Sequence, residues 1–141
     1  MMGQINHERI LTLLGTAQKA LGYLRDYQGF PDEDLLSSGE RLGNIKYQWV
    51  ILIEACIDIC SHFSARLYGR TPESYSGCFT ILHEMKVIDA DLAEQLGELA
   101  RFRNVLVHLY WEVDNRRVIE HTKTRLEIIE HFLKEIGTRI Q

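Results

Sequence analysis

The stretch 49–63 restricts the possible fold of this 141-residue chain more than any other part of the sequence. Drawn as an α-helix, it is apolar on most faces, through Trp49, Val50, Ile51, Leu52, Ile53, Ala55, Cys56, Ile57, Ile59, Cys60 and Phe63. A helix that is apolar almost all round is either central in its domain or part of an interface. Its unbroken apolar run stops at Glu54, far short of the roughly 20 residues that span a bilayer. The sequence therefore predicts a domain assembled around one long helix, with no membrane segment.

Apolar residues elsewhere in the chain recur at three- and four-residue spacing, which indicates amphipathic helices. Spacing and capping residues together predict five helices: about Asn6 to Tyr27, about Asp32 to Tyr68, Thr71 to near Lys86, Asp89 to an end within 101–114, and Asp114-Asn115 to about Ile140. Ser37-Ser38-Gly39 or Gly43 could divide the start of the second helix. The only segment that could compete as a strand is 105–113. Five helices with short connections are typical of an up-and-down bundle, so we expect one all-α domain over residues 1–141.

The cellular location can be inferred from the amino terminus and the cysteines. The first residues lack the basic region and apolar stretch of a secretory signal. Three cysteines, an odd number, do not form an evident disulfide framework. Cys56 and Cys60 lie on the apolar helix and are expected to be small core residues. We therefore expect a cytoplasmic protein that needs neither a disulfide nor a cofactor.

Charge is distributed unevenly along the chain. The net charge is −4, which argues against a generally basic surface for nucleic acid and against DNA binding. The balance of charged residues nevertheless moves from −6 over residues 1–100 to +2 over residues 101–141. Arginines cluster around one stretch of the second part, at Arg101, Arg103, Arg116, Arg117 and Arg125. They form either a local anion site or a set of scattered solvated charges.

The stretch from Arg103 to Tyr110 concentrates polar side chains among Val, Leu and Trp. At 100° per residue, Asn104 and His108 lie about 40° apart, and Arg103 and Tyr110 about 20° apart if the helix continues. Arg103 and His108 are about 140° apart, a gap that arginine's reach or a distorted helix end would have to close. A purely structural interpretation is that Arg103 pairs with an acidic neighbour, His108 makes a core hydrogen bond and Tyr110 packs at the rim.

Arg103-Asn104, followed by three residues and His108, resembles the Arg–x(4–6)–His signature of the HEPN ribonuclease superfamily. His108-Leu109-Tyr110 is similar to the His-x-Tyr form of its HepT toxin branch. HepT-like proteins are short five-helix bundles, so the resemblance covers nearly the whole chain. Ile57-Asp58-Ile59 followed by His62, and Val113-Asp114 beyond the motif, agree with it.

The resemblance implies a metal-independent endoribonuclease toxin that acts on RNA as a homodimer, with two motifs facing one cleft. His108 would be the base, Arg103 would clamp the phosphate, and Asn104 would orient the imidazole or donate to a phosphate oxygen. The resemblance further implies a minimal nucleotidyltransferase antitoxin that binds the toxin and adenylylates Tyr110. Arg101, Arg116 and Arg117 would contact RNA or the added phosphate.

Glu54, Asp58 and His62 form a second polar stripe at four-residue spacing on the most apolar helix. Such a stripe could bind a metal, but no partner Glu-x-x-His pair is evident, so we expect no metal site. A buried hydrogen-bond network, or a wall of the cleft formed by Asp58 and His62, is the favoured interpretation. Two rival functions remain open for the whole chain: a catalytically silent HEPN module that binds nucleotide or a partner, and a plain structural bundle.

Overall fold

The computed structural model describes residues 3–140, which fold into α-helices joined by short connections. The helices are α1 His7–Gln28, α2 Asp32–Leu36, α3 Gly39–Tyr68, α4 Tyr75–Glu84, α5 Ala90–His108, α6 Asn115–Thr124 and α7 Leu126–Gly137. A 3₁₀ turn, Tyr110–Glu112, links α5 to α6. Between residues 3 and 140 there is no strand, which confirms the predicted all-α class. The first two residues and Gln141 of the predicted domain lie outside the described range.

The long helix α3 is central, as one of the two interpretations of its apolar sequence predicted. Its apolar side chains belong to one continuous core to which α1, α4, α5, α6 and α7 also contribute. Trp49 is fully buried, and its indole N–H donates to the hydroxyl of Thr122 on α6 at 2.9 Å. The Trp49 ring also meets Phe102 of α5 edge to face. One α3 side chain thus contacts α5, which carries most of the polar stretch, and α6, which follows it.

Side-chain caps determine where several helices begin. Asn6 accepts a hydrogen bond from the Arg9 N–H, and Asp89 from the Leu92 N–H, as predicted for α1 and α5. The second predicted helix is divided at Ser37-Ser38, where Ser38 caps α3 through the Arg41 N–H. Gly43 lies inside α3 and causes no break. No helix among the described residues is long and apolar enough to cross a membrane.

The predicted start of the third helix and the predicted continuity of the last helix are wrong. The third helix begins at Tyr75 rather than at Thr71, because the Ser74 hydroxyl accepts the Gly77 N–H at 3.0 Å and caps it there. The last predicted helix is two helices, separated at Arg125, where the backbone leaves helical geometry (φ −115°, ψ 1°). The apolar spacing continues across Arg125, so the sequence pattern does not reveal this break.

Candidate active site

Arg103 is held in one orientation by groups on three helices. Its side chain is buried, with 9% of the residue exposed. Nε and one terminal nitrogen donate to Glu54 Oε1 of α3 at 3.2 and 2.6 Å. The other terminal nitrogen donates to Asn104 Oδ1 at 3.1 Å, and the guanidinium lies 5.1 Å from the centre of the Tyr75 ring on α4. A guanidinium has five N–H donors, so these bonds leave two for another ligand.

Glu54 is the carboxylate that interrupts the apolar run of α3. Its side chain is 42% exposed, so the ion pair with Arg103 is screened on one side by solvent. Its main effect is therefore to orient the guanidinium rather than to stabilise the fold. This is also the acidic neighbour that the structural interpretation of Arg103 requires. Glu54 could have been anticipated as the only charged residue of 49–57, whereas no signal in the sequence indicates Tyr75.

His108 is the last residue of α5, and its side chain is exposed. Asn104 lies one turn earlier on the same side of the helix and is half-buried, with its oxygen engaged by Arg103. Because α5 is helical through His108, about 140° separates Arg103 from His108 around its axis. Arg103 contacts α3 and α4, while His108 faces solvent. The fold brings Arg103 and Asn104 together but does not bring His108 to the guanidinium within one chain.

Tyr110 lies beyond the end of α5. Leu109 leaves helical geometry (φ −128°, ψ 40°), and Tyr110 begins the 3₁₀ turn. The expectation that Arg103 and Tyr110 share one side of a continuing helix is therefore wrong, because the helix does not continue. The Tyr110 residue is 71% exposed, and its ring meets Trp111 edge to face at 5.2 Å. Its phenol is open to solvent and to a partner.

The polar stripe of Glu54, Asp58 and His62 runs along α3 from the site around Arg103, here called the arginine site, towards the amino terminus of α1. Asp58 is exposed, and partial burial raises the pKa of its carboxyl, with Arg9 opposing this effect and Glu54 adding to it. His62 Nε2 accepts the Asn6 backbone N–H at 2.9 Å, so this imidazole joins α3 to the start of α1. The stripe therefore contributes Glu54 to the arginine site, while His62 binds the backbone at the start of α1 instead.

Of the three flanking arginines, two meet in one cavity. Arg101 and Arg117 line a cavity of about 640 Å³ between α5 and α6, and Arg116 does not. The cavity also contains His121, a buried residue that the sequence interpretation did not single out. Within residues 3–140 no group of three or more His, Cys, Asp or Glu side chains is placed to hold a metal ion.

Comparison with known proteins shows similarities in sequence and in fold. The Ribonuclease HepT-like family model matches residues 17–136. An mRNA nuclease HepT of Shewanella oneidensis is 32% identical over a segment covering 59% of this chain and 62% of that protein. A tRNA nuclease HepT of Aphanizomenon flos-aquae is 26% identical over 93% of this chain and 87% of its own length. A solved structure of a tri-AMPylated Shewanella oneidensis HEPN toxin in complex with an MNT antitoxin has the same fold (TM-score 0.85, 22% identity, 92% and 97% of the two chains).

Replacing His62 with Gln should make the free energy of unfolding less dependent on pH. Burial, Arg66 and Arg9 lower the pKa of His62 in the folded protein. The unfolded chain, where the pKa is about 6.5, therefore takes up the proton first, and stability falls as the pH drops below that value. Gln can still accept the Asn6 N–H but does not titrate.

Urea unfolding at about pH 7.5 and 5.5 measures this difference. The loss of stability between the two conditions should be smaller in His62→Gln than in the wild type. Exposed His7, in the first turn of α1, provides the matched control, and His7→Gln should keep the wild-type loss. Equal losses in all three proteins would show that His62 does not couple protonation to folding.

Proposed function

The chain belongs to the ribonuclease HepT-like family, and we propose that it is an endoribonuclease toxin that cleaves RNA without a metal, through Arg103 and His108. The observation that carries this proposal is the state of Arg103. It is a buried, oriented guanidinium with two free donors, five residues before an exposed histidine at a helix end. A fixed cation of this kind can stabilise the negative charge that builds on the phosphate oxygens in the transition state of phosphodiester cleavage.

The proposed reaction transfers protons through imidazole. Neutral His108 removes the proton of a 2′-hydroxyl, and the resulting oxygen attacks the adjacent phosphorus. The bond from phosphorus to the 5′-oxygen breaks, and that oxygen receives a proton from an acid. The free N–H groups of Arg103 bind the phosphate oxygens as negative charge builds on them. Asn104 holds the guanidinium and stays within one turn of His108.

We propose that two chains are needed to complete the site. Arg103 and His108 lie on different sides of α5, and one chain offers a single His108. A second chain, facing the first across a two-fold axis, could place its His108 opposite Arg103 and supply the acid as well as the base. Large apolar side chains next to His108 support a protein contact here, since Val107, Leu109, Tyr110 and Trp111 are 37–71% exposed.

Regulation by an antitoxin is the second part of the proposal. The Shewanella HEPN toxin with the same fold is described as AMPylated and bound to an MNT antitoxin. In this chain, the exposed Tyr110 phenol would attack the α-phosphorus of ATP held by a nucleotidyltransferase. A phosphodiester forms, pyrophosphate leaves, and a base of the partner enzyme takes the phenol proton. The adenylate adds bulk and negative charge two residues from His108 and repels the RNA backbone.

The ion pair of Arg103 with Glu54 favours one alternative, a catalytically silent module that binds nucleotide or a partner. In that case Arg103 would hold α5 against α3 and would take no part in chemistry. Such a protein would be folded but would leave RNA intact. The first experiment below separates the two functions.

Substituting His108 or Arg103 by Ala should lower the rate of RNA cleavage by at least about a hundredfold, because each removes a group acting in the transition state. Excess EDTA should leave the wild-type rate unchanged. His131→Ala, an exposed histidine on α7, is the matched control and should cleave normally. Circular dichroism confirms that each variant is folded.

Cleavage that requires an added divalent ion, or that survives His108→Ala, would contradict the mechanism. A folded wild-type chain that cleaves no RNA would instead favour the silent module.

Mixing inactive Arg103→Ala chains with inactive His108→Ala chains should restore cleavage if the site is shared. Half of randomly formed dimers are hybrids, and one of their two sites pairs an intact Arg103 with an intact His108, so about a quarter of the sites regain this pair. Each of these sites has one His108 instead of two, so we expect partial cleavage. Sedimentation measures the dimer, and each variant alone is the control. No recovery after subunit exchange would contradict a site in which Arg103 of one chain acts with His108 of the other.

Tyr110→Phe should keep the ribonuclease activity and escape the antitoxin, because it preserves the ring and removes the acceptor oxygen. Incubation with ATP and a cognate nucleotidyltransferase, followed by intact-mass measurement, should add adenylate mass to the wild type and to Tyr75→Phe but not to Tyr110→Phe. Tyr75→Phe, also exposed near Arg103, controls for nonspecific labelling of tyrosine. Equal labelling of Tyr110→Phe would overturn the assignment.

A further inference from the structure

The cavity between α5 and α6 is separate from the arginine site. It is lined by Arg101, Phe102 and Val105 of α5, by the 112–114 connection, and by Arg117 and His121 of α6. None of the residues that hold Arg103 lines it. Its volume of about 640 Å³ is that of a small-molecule site, for which 300–1,000 Å³ is usual.

The cavity has two cations without a carboxylate partner. Among the ion pairs of residues 3–140, Arg125 at the rim is held by Glu98 at 3.2 Å, while neither Arg101 nor Arg117 forms a pair. Asp114, on the same wall, is engaged in capping α6 through the Arg116 N–H. Arg101 and Arg117 are therefore free to bind a phosphate from two helices at once.

His121 gives the cavity a polar group that is more than nine-tenths buried. Its residue is 8% exposed, and its Nδ1 atom is buried without a hydrogen-bond partner. Burial, Arg125 and Arg117 lower its pKa, against weaker effects of Glu120 and the Arg117 backbone, so the ring is neutral at pH 7. It packs 4.5 Å from the Phe102 ring, and both rings line the cavity. A buried polar atom without a partner is unusual, and the ring that carries it lines the cavity.

We propose that this cavity binds a phosphorylated nucleoside, with its phosphate on Arg101 and Arg117 and its base against the Phe102 and His121 rings. Aromatic rings stack on any base, which provides affinity without demanding one sequence. The carboxylate of Glu112, also in the lining, can accept hydrogen bonds from a base amino group or a ribose hydroxyl.

The position of Arg101 favours RNA, rather than a free nucleotide, as the source of the nucleoside phosphate in the cavity. On α5, Arg101 lies about 20° from His108 around the helix and about two turns before it. The side of α5 that carries His108 therefore also carries an arginine of the cavity. One nucleotide of the RNA bound at the cut would then occupy it. This choice of source rests on the proposed ribonuclease function, whereas binding of a free nucleotide does not.

Calorimetric titration of the full chain with AMP tests the site directly. Arg117→Gln should weaken AMP binding by about tenfold or more, through the loss of a charge-assisted hydrogen bond. Arg116→Gln is the matched control, being the adjacent exposed arginine on α6 that does not line the cavity, and it should change the affinity less than about twofold. AMP should also shift the NMR signals of the His121 ring, in the wild type and in Arg116→Gln.

The two sources are separated by cleavage kinetics. If RNA occupies the cavity, Arg117→Gln raises KM while kcat stays near the wild-type value, and Arg66→Gln, at an exposed arginine of α3 outside the cavity, changes neither. If a free nucleotide occupies it, AMP binding is lost in Arg117→Gln and KM is unchanged. AMP binding with no cleavage by any variant would contradict the ribonuclease but support the site. Absence of AMP binding to the wild type, or equal affinities of Arg117→Gln and Arg116→Gln with no shift at His121, would overturn the site.

Discussion

The burial of most of the apolar middle of α3 is the constraint on which the rest of the structure depends. A helix with so apolar a middle must be covered, so α1, α4, α5 and α6 are packed around it. Glu54 is the exception within its apolar run. Arg103, on the side of α5 that meets α3, is the buried partner of the pair, and a buried charge requires the counter-charge that Glu54 supplies. The position of the candidate site therefore follows from the packing of the core.

The helix α5 separates two chemical environments. Towards α3 and α4 it presents a buried arginine fixed by a carboxylate, an amide and an aromatic ring. Towards α6 it presents an arginine at the surface of a wide cavity with an aromatic floor. His108 lies at the end of the helix, on the same side as Arg101. A pre-oriented cation loses little freedom when it binds phosphate, whereas the solvated one can follow a ligand of variable shape.

Much of this arrangement could be predicted from residue spacing, and the parts that could not have physical reasons. Periodicity and caps placed the starts of α1 and α5 within a residue or two, and they offered Ser37-Ser38-Gly39 as one of two possible breaks before α3, because local hydrogen bonds of Asn6, Ser38 and Asp89 decide those starts. The break at Arg125 was missed because both sides of it bury the same kind of face. The end of α5 at His108 was missed because Val, Leu and Trp continue the pattern beyond it. The Arg103–Glu54 contact spans 49 residues of sequence and depends on how α5 packs, which spacing alone does not determine.

The different environments of the two tryptophans have a practical consequence. Trp49 is sealed in the core with its N–H bonded to Thr122, whereas Trp111 is 67% exposed beside Tyr110. Fluorescence of the first depends on the integrity of the bundle, and that of the second on whatever touches the turn after α5. An aqueous quencher should reach Trp111 and spare Trp49. The chain thus contains a built-in optical reporter of events at the turn after α5, together with an internal reference for folding.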